Sequence, residues 1–436
     1  MSRHVLTSLV AALALTACAD SPTAPLTDAR LSKQASNGRG SEGRGDFHRY
    51  VAIGTSISQG WHSDGVIAEF QQTSWPAQLA RLAHRELSLP LIASPGCGSP
   101  LLAPLARGIR LSGEPAAAPF PASRVCAPNE PGVVLPAGNV AISGARTSHA
   151  LTATPENPDP NYAPLYARVL PPGLSQVMAM EAQNPKIVSV ELGGNEVFGV
   201  RNGAYVPGQT VVPVAAWAPG YREVVARVDA VAKRAVLVGL IDRAANLPSF
   251  RTGAELWAAR ATFAPFHVTV SENCSVAPGS ENMLFVPVRV LVAAGEGAAR
   301  ARAQLSPAVL SCANAPATLP NGVVIVDYTV SPAELALADA QLAAMNGIIR
   351  AEAAARGFAY FSLSPLYEQA AVKAPFSAIT LLTSAQPFGP YISLDGVHPS
   401  AEGSRVLADA AAAALNATYK LGIPTTSGGA ALLARR

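Results

Sequence analysis

The stretch "YVAIGTSISQG", Tyr50 to Gly60, runs a short apolar segment into a serine-rich turn and places a glycine four residues after Ser56. Tyr50, Val51, Ala52 and Ile53 suit a strand and Gly54 stops it, which predicts a buried strand ending in a turn. In open α/β sheets ligands sit outside the carboxyl ends of the strands, where loops present side chains to a crevice. Ser56 stands where a nucleophile would stand. Taken alone the stretch has a second reading, in which Thr55, Ser56 and Ser58 only satisfy backbone groups of a strand-to-helix turn. The rest of the chain has to separate the two.

Outward from this stretch, short β-type runs alternate with helical patterns, which predicts a parallel sheet with helices on both faces. The candidate strands are 51–54, 139–143, 186–192, 235–240 and 358–363. Five strands suit a flavodoxin-like, three-layer α/β/α sandwich. Helices are expected over 76–86 and 222–234, and from Ser400 through the alanine-rich "RVLADAAAAALNATY". The clearest helix start is "SPAE", where Ser331 caps, Pro332 fits the first turn and Glu334 closes a capping box; that helix should run to Arg356 and stop at Gly357. Two segments break the rhythm, 92–136 and 248–321. Long irregular stretches in a compact domain are functional or tied down, so both are read as insertions at the rim of the sheet, in a folded region spanning 47–420 before a frayed tail, 421–436.

The chain has 436 residues, 49% of them hydrophobic, ample for a sizeable core. Its net charge of +3 comes without a long basic run, so neither a nucleic-acid footprint nor an acidic partner is suggested. At the N-terminus Arg3 and His4 precede an apolar stretch, 5–15, that leads into "LTAC" ending at Cys18. This reads as a secretory signal too short to span a bilayer. Leu15 to Cys18 match the bacterial lipobox, which predicts a signal peptide over 1–17 and lipidation of Cys18. An ordinary cleaved signal with an incidental cysteine is the plainer alternative. Ala19 after Cys18 resembles the outer-membrane sorting pattern of a host with two membranes. From 18 to 46 the composition, rich in Ser, Gly, Arg and Pro, is that of a flexible tether. The expected location is outside the cytoplasm, lipid-anchored to the cell envelope.

Four further cysteines are Cys97, Cys126, Cys274 and Cys312. None has a C-x-x-C partner and no H-E-x-x-H occurs, so in an exported chain disulfides are favoured over metal ligands, with four buried free thiols as the alternative. Three connectivities are open. Proximity favours Cys97 with Cys126 and Cys274 with Cys312, one pair stapling each insertion.

A base for Ser56 is found in "SLDGVHPSAEG", where Asp395 lies three residues before His398 and just ahead of a helix start. That spacing lets the carboxylate fold back to fix the imidazole's tautomer and stabilise its charged form. Singly, Asp395 and His398 could be an Asp-Gly turn capping the last helix. An acyl-transfer site also needs donors where an oxyanion forms. "NVAISGART" offers the Gly144 N–H after the second strand, and "VSVELGGNEVFG" the Asn195 amide after the third. The order is serine, glycine, asparagine, then aspartate with histidine before the final helix.

In that order the chain resembles the SGNH hydrolases, also called the GDSL esterase/lipase family, whose four blocks are matched by Ser56, Gly144, Asn195 and the Asp395/His398 pair. The resemblance spans 47–419, and "VLVGLIDRAANLPSF" also resembles the family's fourth strand and following loop. It implies the SGNH fold and a serine esterase or lipase that works through an acyl-enzyme on Ser56. His398 would be the base and Asp395 its orienting acid. The Ser56 and Gly144 N–H groups with the Asn195 amide would form the oxyanion hole, and no metal or cofactor would be needed. Two positions depart from the pattern: Thr55 stands where the family usually has Asp before the nucleophile, and Glu196 where it usually has Asp after the asparagine. The implied partner is an ester, whether lipid, acylated sugar or small ester, met by a monomer at the membrane. The rival readings are a surface-binding lipoprotein that keeps the fold without turnover and, among enzymes, a lipase or lysophospholipase, a carbohydrate O-deacetylase or a thioesterase.

Overall fold

The computed structural model describes residues 45–426 apart from 117–124, 321–323 and 326. The expected signal peptide, Cys18, nearly all of the tether and the tail from 427 lie outside the described residues.

The centre is a parallel sheet of four strands, β1 Tyr50–Gly54, β2 Ile187–Glu191, β3 Arg234–Gly239 and β4 Ala359–Ser362, in the order β1-β2-β3-β4. All residues of β1 and β2 are buried, which is why these strands read as near-continuous apolar runs. The expected fifth strand, 139–143, is not a regular strand. It runs beside β1 and pairs in parallel at Ala52 and Asn139 only. Ala52 N–H donates to Gly138 O, and Val140 and Ile142 donate to Ala52 O and Gly54 O. The bond that would complete this ladder is missing because Gly54 N–H donates to Gln176 Oε1 instead, at 3.2 Å. The expected five-stranded sheet is therefore a sheet of four regular strands, with 139–143 as an irregular segment along the β1 edge.

The longer helices are α1 Trp75–Leu82, α2 Val214–Val231, α3 Val286–Arg302, α4 Pro332–Arg356 and α5 Ala401–Tyr419. α1 and α5 pack together to form one outer layer, with α5 against β3 and β4, while α2 and α4 form the other. α4 has the expected capping box, with Glu334 N–H donating to Ser331 Oγ and Ser331 N–H to Glu334 Oε2, and it ends at Gly357 with φ +63°. α1 stops at Leu82, short of the expected 86, as His84 turns left-handed at φ +59°. α2 starts at Val214 rather than 222 and runs through Pro219, a residue that normally marks a helix boundary.

The two disulfides join Cys97 to Cys126 and Cys274 to Cys312. The first insertion is irregular, as expected, and held by scattered bridges such as Ile92 with Asn129. The second is not. It contains α3, a parallel pair formed by Val268–Val270 and Ala308–Leu310, and two strands, Phe250–Thr252 and Met283–Phe285, that join Thr329–Val330 in a small antiparallel sheet. Strands of two or three residues are too short to show a period in the sequence. Two glycines weaken the helical pattern of α3, and one is forced: a Cβ at Gly297 would lie 2.3 Å from Phe266 O.

Candidate active site

β1 delivers the chain into a single helical turn, Ser56–Gln59, closed by Gly60 at φ +88°. A side chain at Gly60 would meet Phe70 O at 2.7 Å, so this glycine is required by both conformation and space. Gly60 N–H and Trp61 N–H both donate to Ser56 O. Beneath the turn lies Glu191, the last residue of β2, a buried carboxylate. It accepts the Thr55 N–H at 3.0 Å and hydroxyl at 2.8 Å, and the Ser58 N–H at 3.3 Å and hydroxyl at 3.1 Å. Burial pushes the Glu191 carboxyl up, against the pull of these donors. Ser58 also accepts from Trp75 Nε1 at 3.2 Å. Its hydroxyl is thus committed to the wall of the turn, whereas that of Ser56 is not.

Ser56 Oγ lies 2.9 Å from His398 Nε2, and His398 Nδ1 lies 3.0 Å from Asp395 Oδ2. With Nδ1–H donating to the carboxylate, Nε2 is the acceptor that faces the Ser56 hydroxyl. Asp395 Oδ1 accepts the N–H groups of Val397 and His398 at 2.9 Å, and Oδ2 also accepts Asp64 N–H at 2.7 Å. Burial alone would raise the Asp395 carboxyl. The His398 ring and the Val397 and His398 amides outweigh it and hold Asp395 far below the usual carboxylate range. Asp395 is therefore an anion wherever the protein is folded near neutrality.

The first insertion reaches this loop. Ser63 and Asp64 form the tip of a tight turn, both at left-handed φ, 54° and 58°. Ser63 N–H donates to Ser393 Oγ at 3.0 Å while Asp64 N–H grips Asp395. Arg110, a buried residue of the insertion, holds that tip in turn. It donates to Asp64 Oδ2 at 2.6 Å and Asp64 O at 3.1 Å, and to Ser99 O and Ala116 O at 2.8 Å. Neighbouring His62 packs against Phe70 with ring centroids 4.2 Å apart, and burial pushes its imidazole down to about 4 against the pull of Asp395. It is neutral beside the Asp395–His398 pair.

Gly144 has φ +76°, and a Cβ there would lie 1.9 Å from the Tyr162 ring. Asn195 follows β2 through Gly193, at φ +117°, and donates from Nδ2 to Ala145 O at 2.8 Å. That bond ties the loop after β2 to the Gly144 loop and leaves Asn195 a second amide proton. Among the described residues neither the Ser56 nor the Gly144 N–H donates a hydrogen bond. Glu196 turns away from these donors. Its buried Oε1 accepts Thr147 N–H at 2.6 Å, its Oε2 has no partner, and burial pushes its carboxyl up.

Two cavities meet at Asn195. Ser56 and His398 line a narrow apolar one of about 90 Å³, with Ile57, Val200, Leu240, Leu247 and Phe250 among its walls. Gly144 lines a polar one of about 560 Å³ instead, with Trp61, Asp64, Arg146, His149 and Arg201. Ser56, His398, Asp395 and Asn195 are thus brought together, and Gly144 borders them across Asn195. Glu191, Asp64 and Arg110 were missed. A charge inside the β-run "VSVEL" was a readable sign for the first; the Pro- and Gly-rich surroundings of Arg110 carry none.

The sequence matches no protein-family model and no curated protein. Among solved structures the chain is similar to an α/β hydrolase enzyme from the metagenome of Lake Arreo, Spain, at 12% identity and TM-score 0.33, covering 86% of this chain and 95% of that one. It is similar to a mutant acetyl-xylooligosaccharide esterase from Geobacillus at 11% identity and TM-score 0.32, over 86% and 93% of the two chains. The extracellular lipase of Streptomyces rimosus stands at 13% identity and TM-score 0.32, over 85% and 98%. Likeness at this level fixes neither activity nor substrate.

Proposed function

We propose that the protein is a serine hydrolase that cleaves carboxylic esters through an acyl-enzyme on Ser56, as its resemblance to the SGNH hydrolases implies. The observation that carries this reading is the continuous line from Ser56 Oγ through His398 to Asp395, at 2.9 and 3.0 Å. His398 Nε2 takes the hydroxyl proton as Oγ attacks the carbonyl carbon. The Asp395 anion keeps the ring in the accepting tautomer and stabilises the imidazolium. The oxyanion is held by the Ser56 and Gly144 N–H groups and the Asn195 amide. Collapse breaks the bond to the alkoxy oxygen, which leaves with the proton from Nε2. Water, deprotonated by the same nitrogen, then releases the acid and restores Ser56.

The apolar cavity beside Ser56 takes the acyl group. An apolar cavity of ~150 Å³ holds benzene, so about 90 Å³ suits a short acyl chain. The adjoining polar cavity suits a hydrophilic alcohol better than a lipid one, which favours an O-deacetylase-like activity on acylated sugars or small polar esters over a lipase. Two disulfides fit an oxidising compartment, and a lipid on Cys18 would hold the enzyme at the envelope.

Turnover of p-nitrophenyl acetate, lost in Ser56→Ala, tests the activity. A well-folded wild type that binds acylated sugars without any turnover would favour the surface-binding reading. Metabolic labelling with a fatty acid tests the anchor, and label retained by Cys18→Ala would remove it.

A further inference from the structure

The polar cavity that meets the candidate active site at Asn195 has cationic side chains on its wall. Arg146 and Arg201 both line it. Among the described residues neither has a carboxylate within salt-bridge distance, although Arg146 is near enough to favour the charged form of buried Glu196. The two carboxylates on the cavity wall are already engaged. Asp64 is paired with buried Arg110 at 2.6 Å. Asp159 accepts the Asn161 N–H and side-chain amide at 3.1 and 3.2 Å and lies near His149 Nδ1 at 3.5 Å. His149 Nδ1 accepts Arg146 N–H at 3.3 Å, and burial pushes its imidazole down, against the pull of Asp159 and with Arg146 reinforcing the fall. Arg146 and Arg201 are thus the two cations on the cavity wall that have no carboxylate within salt-bridge distance among the described residues. The Arg201 guanidinium is stacked over Phe198, 4.3 Å from the ring centroid, and Phe198 lines both cavities.

We propose that Arg146 and Arg201 bind an anionic group, phosphate or carboxylate, carried on the alcohol portion of the substrate. This rests on the ester-hydrolase reading, in which the acyl group occupies the apolar cavity and the remainder of the ester extends past Asn195. A guanidinium fork matches the two oxygens of such a group, and stacking on an aromatic ring limits the rotamer freedom lost on binding. The two guanidinium charges also draw an anionic ester into the site faster than a neutral one.

The test compares two isosteric acetyl esters, 4-acetoxybenzoate and the neutral 4-acetoxybenzamide, through the ratio of their kcat/KM values. Charge-assisted hydrogen bonds make the expected fall in this ratio roughly tenfold in Arg146→Met or Arg201→Met relative to wild type, with a parallel fall in wild type on adding salt. A ratio unchanged by both substitutions would overturn the proposal. A binding arm does not depend on turnover: calorimetry on Ser56→Ala protein with glycerol 3-phosphate, glycerol and inorganic phosphate. Glycerol 3-phosphate should bind best, and adding Arg146→Met should weaken it. Equal binding of glycerol and glycerol 3-phosphate, or inorganic phosphate binding as tightly as glycerol 3-phosphate, would contradict a site for an anionic alcohol. If neither ester is hydrolysed, the ester-hydrolase reading fails and the binding arm still decides whether the arginines hold an anion.

Discussion

The two halves of the candidate triad are held by different means. The turn that carries Ser56 is fastened locally, by one buried carboxylate from the neighbouring strand that takes four hydrogen bonds from Thr55 and Ser58. The loop that carries Asp395 and His398 is fastened from a distance, through the Ser63–Asp64 tip and the Arg110 guanidinium of a disulfide-stapled insertion. The first device is dry and belongs to the sheet. The second is charged and partly open, since the Asp64 side chain is 36% exposed. Ser56 is thus held by the core of the fold, and the Asp395–His398 loop by a peripheral segment.

Removing the reacting groups from either half sets the upper limit of the effects. Ser56→Ala and His398→Ala should each lower kcat by roughly 10⁴–10⁶-fold, with melting temperatures close to wild type. Unequal losses would mean that the two halves do not act as one unit. Asn195→Ala, between the cavities, should lower kcat by roughly 10²–10³-fold with little change in KM if its second amide proton serves, as proposed, a charge present only in the transition state. An unchanged kcat would place the oxyanion elsewhere.

The two fastenings are separated by milder substitutions. Glu191→Ala leaves buried donors of Thr55 and Ser58 without an acceptor and should cost about 3–5 kcal/mol of stability. Glu191→Gln keeps an acceptor and should cost less, while slowing the reaction of Ser56 with a fluorophosphonate. On the other side, Arg110→Met should lower kcat about tenfold through loss of order around Asp395, at about 2–3 kcal/mol of stability, below the value for a fully buried pair because Asp64 is partly solvated. Reactivity of Ser56 unaffected by Glu191→Gln, or kcat unaffected by Arg110→Met, would show that the corresponding fastening is only structural.

The smallest effect concerns pH. Asp395 is held well below its ordinary value of 3.8 in the folded protein. Its contribution to stability is therefore complete above about pH 4 and is lost as pH falls through the depressed folded value. Thermal melts should fall more steeply below pH 4 for wild type than for Asp395→Asn. Parallel acid limbs would mean that the Asp395 interactions add no net stability.

Much of this was legible in the sequence because chemistry placed at strand ends leaves short, ordered signals. Ser56, Asn195 and the Asp395/His398 pair each follow a strand or precede a helix whose apolar pattern is strong. Both cysteine pairs close local excursions. The supporting residues were not legible for a physical reason: a buttress is defined by what it touches. Glu191 faces Thr55 across a strand pairing that brings together residues far apart in the chain, and Arg110 reaches Asp64 from a segment without any period. The broken edge of the sheet has the same origin, since it depends on the Gln176 side chain taking the Gly54 N–H. Thr55 and Glu196 are explained by contacts of the same kind: Thr55 donates to an acid supplied by β2, and Glu196 clamps Thr147 rather than facing the cavities.

The assignment of Ser56 rather than Ser58 as the nucleophile is open to direct chemical reading. Both serines lie on the same helical turn, but the Ser56 hydroxyl faces His398 at 2.9 Å, while that of Ser58 is held between Trp75 and Glu191. A fluorophosphonate needs an activated serine and leaves a stable adduct that mass spectrometry locates. The adduct should fall on Ser56, disappear in Ser56→Ala and fade in His398→Ala with Ser56 still present. An adduct on Ser58, or full labelling in the absence of His398, would contradict the mechanism.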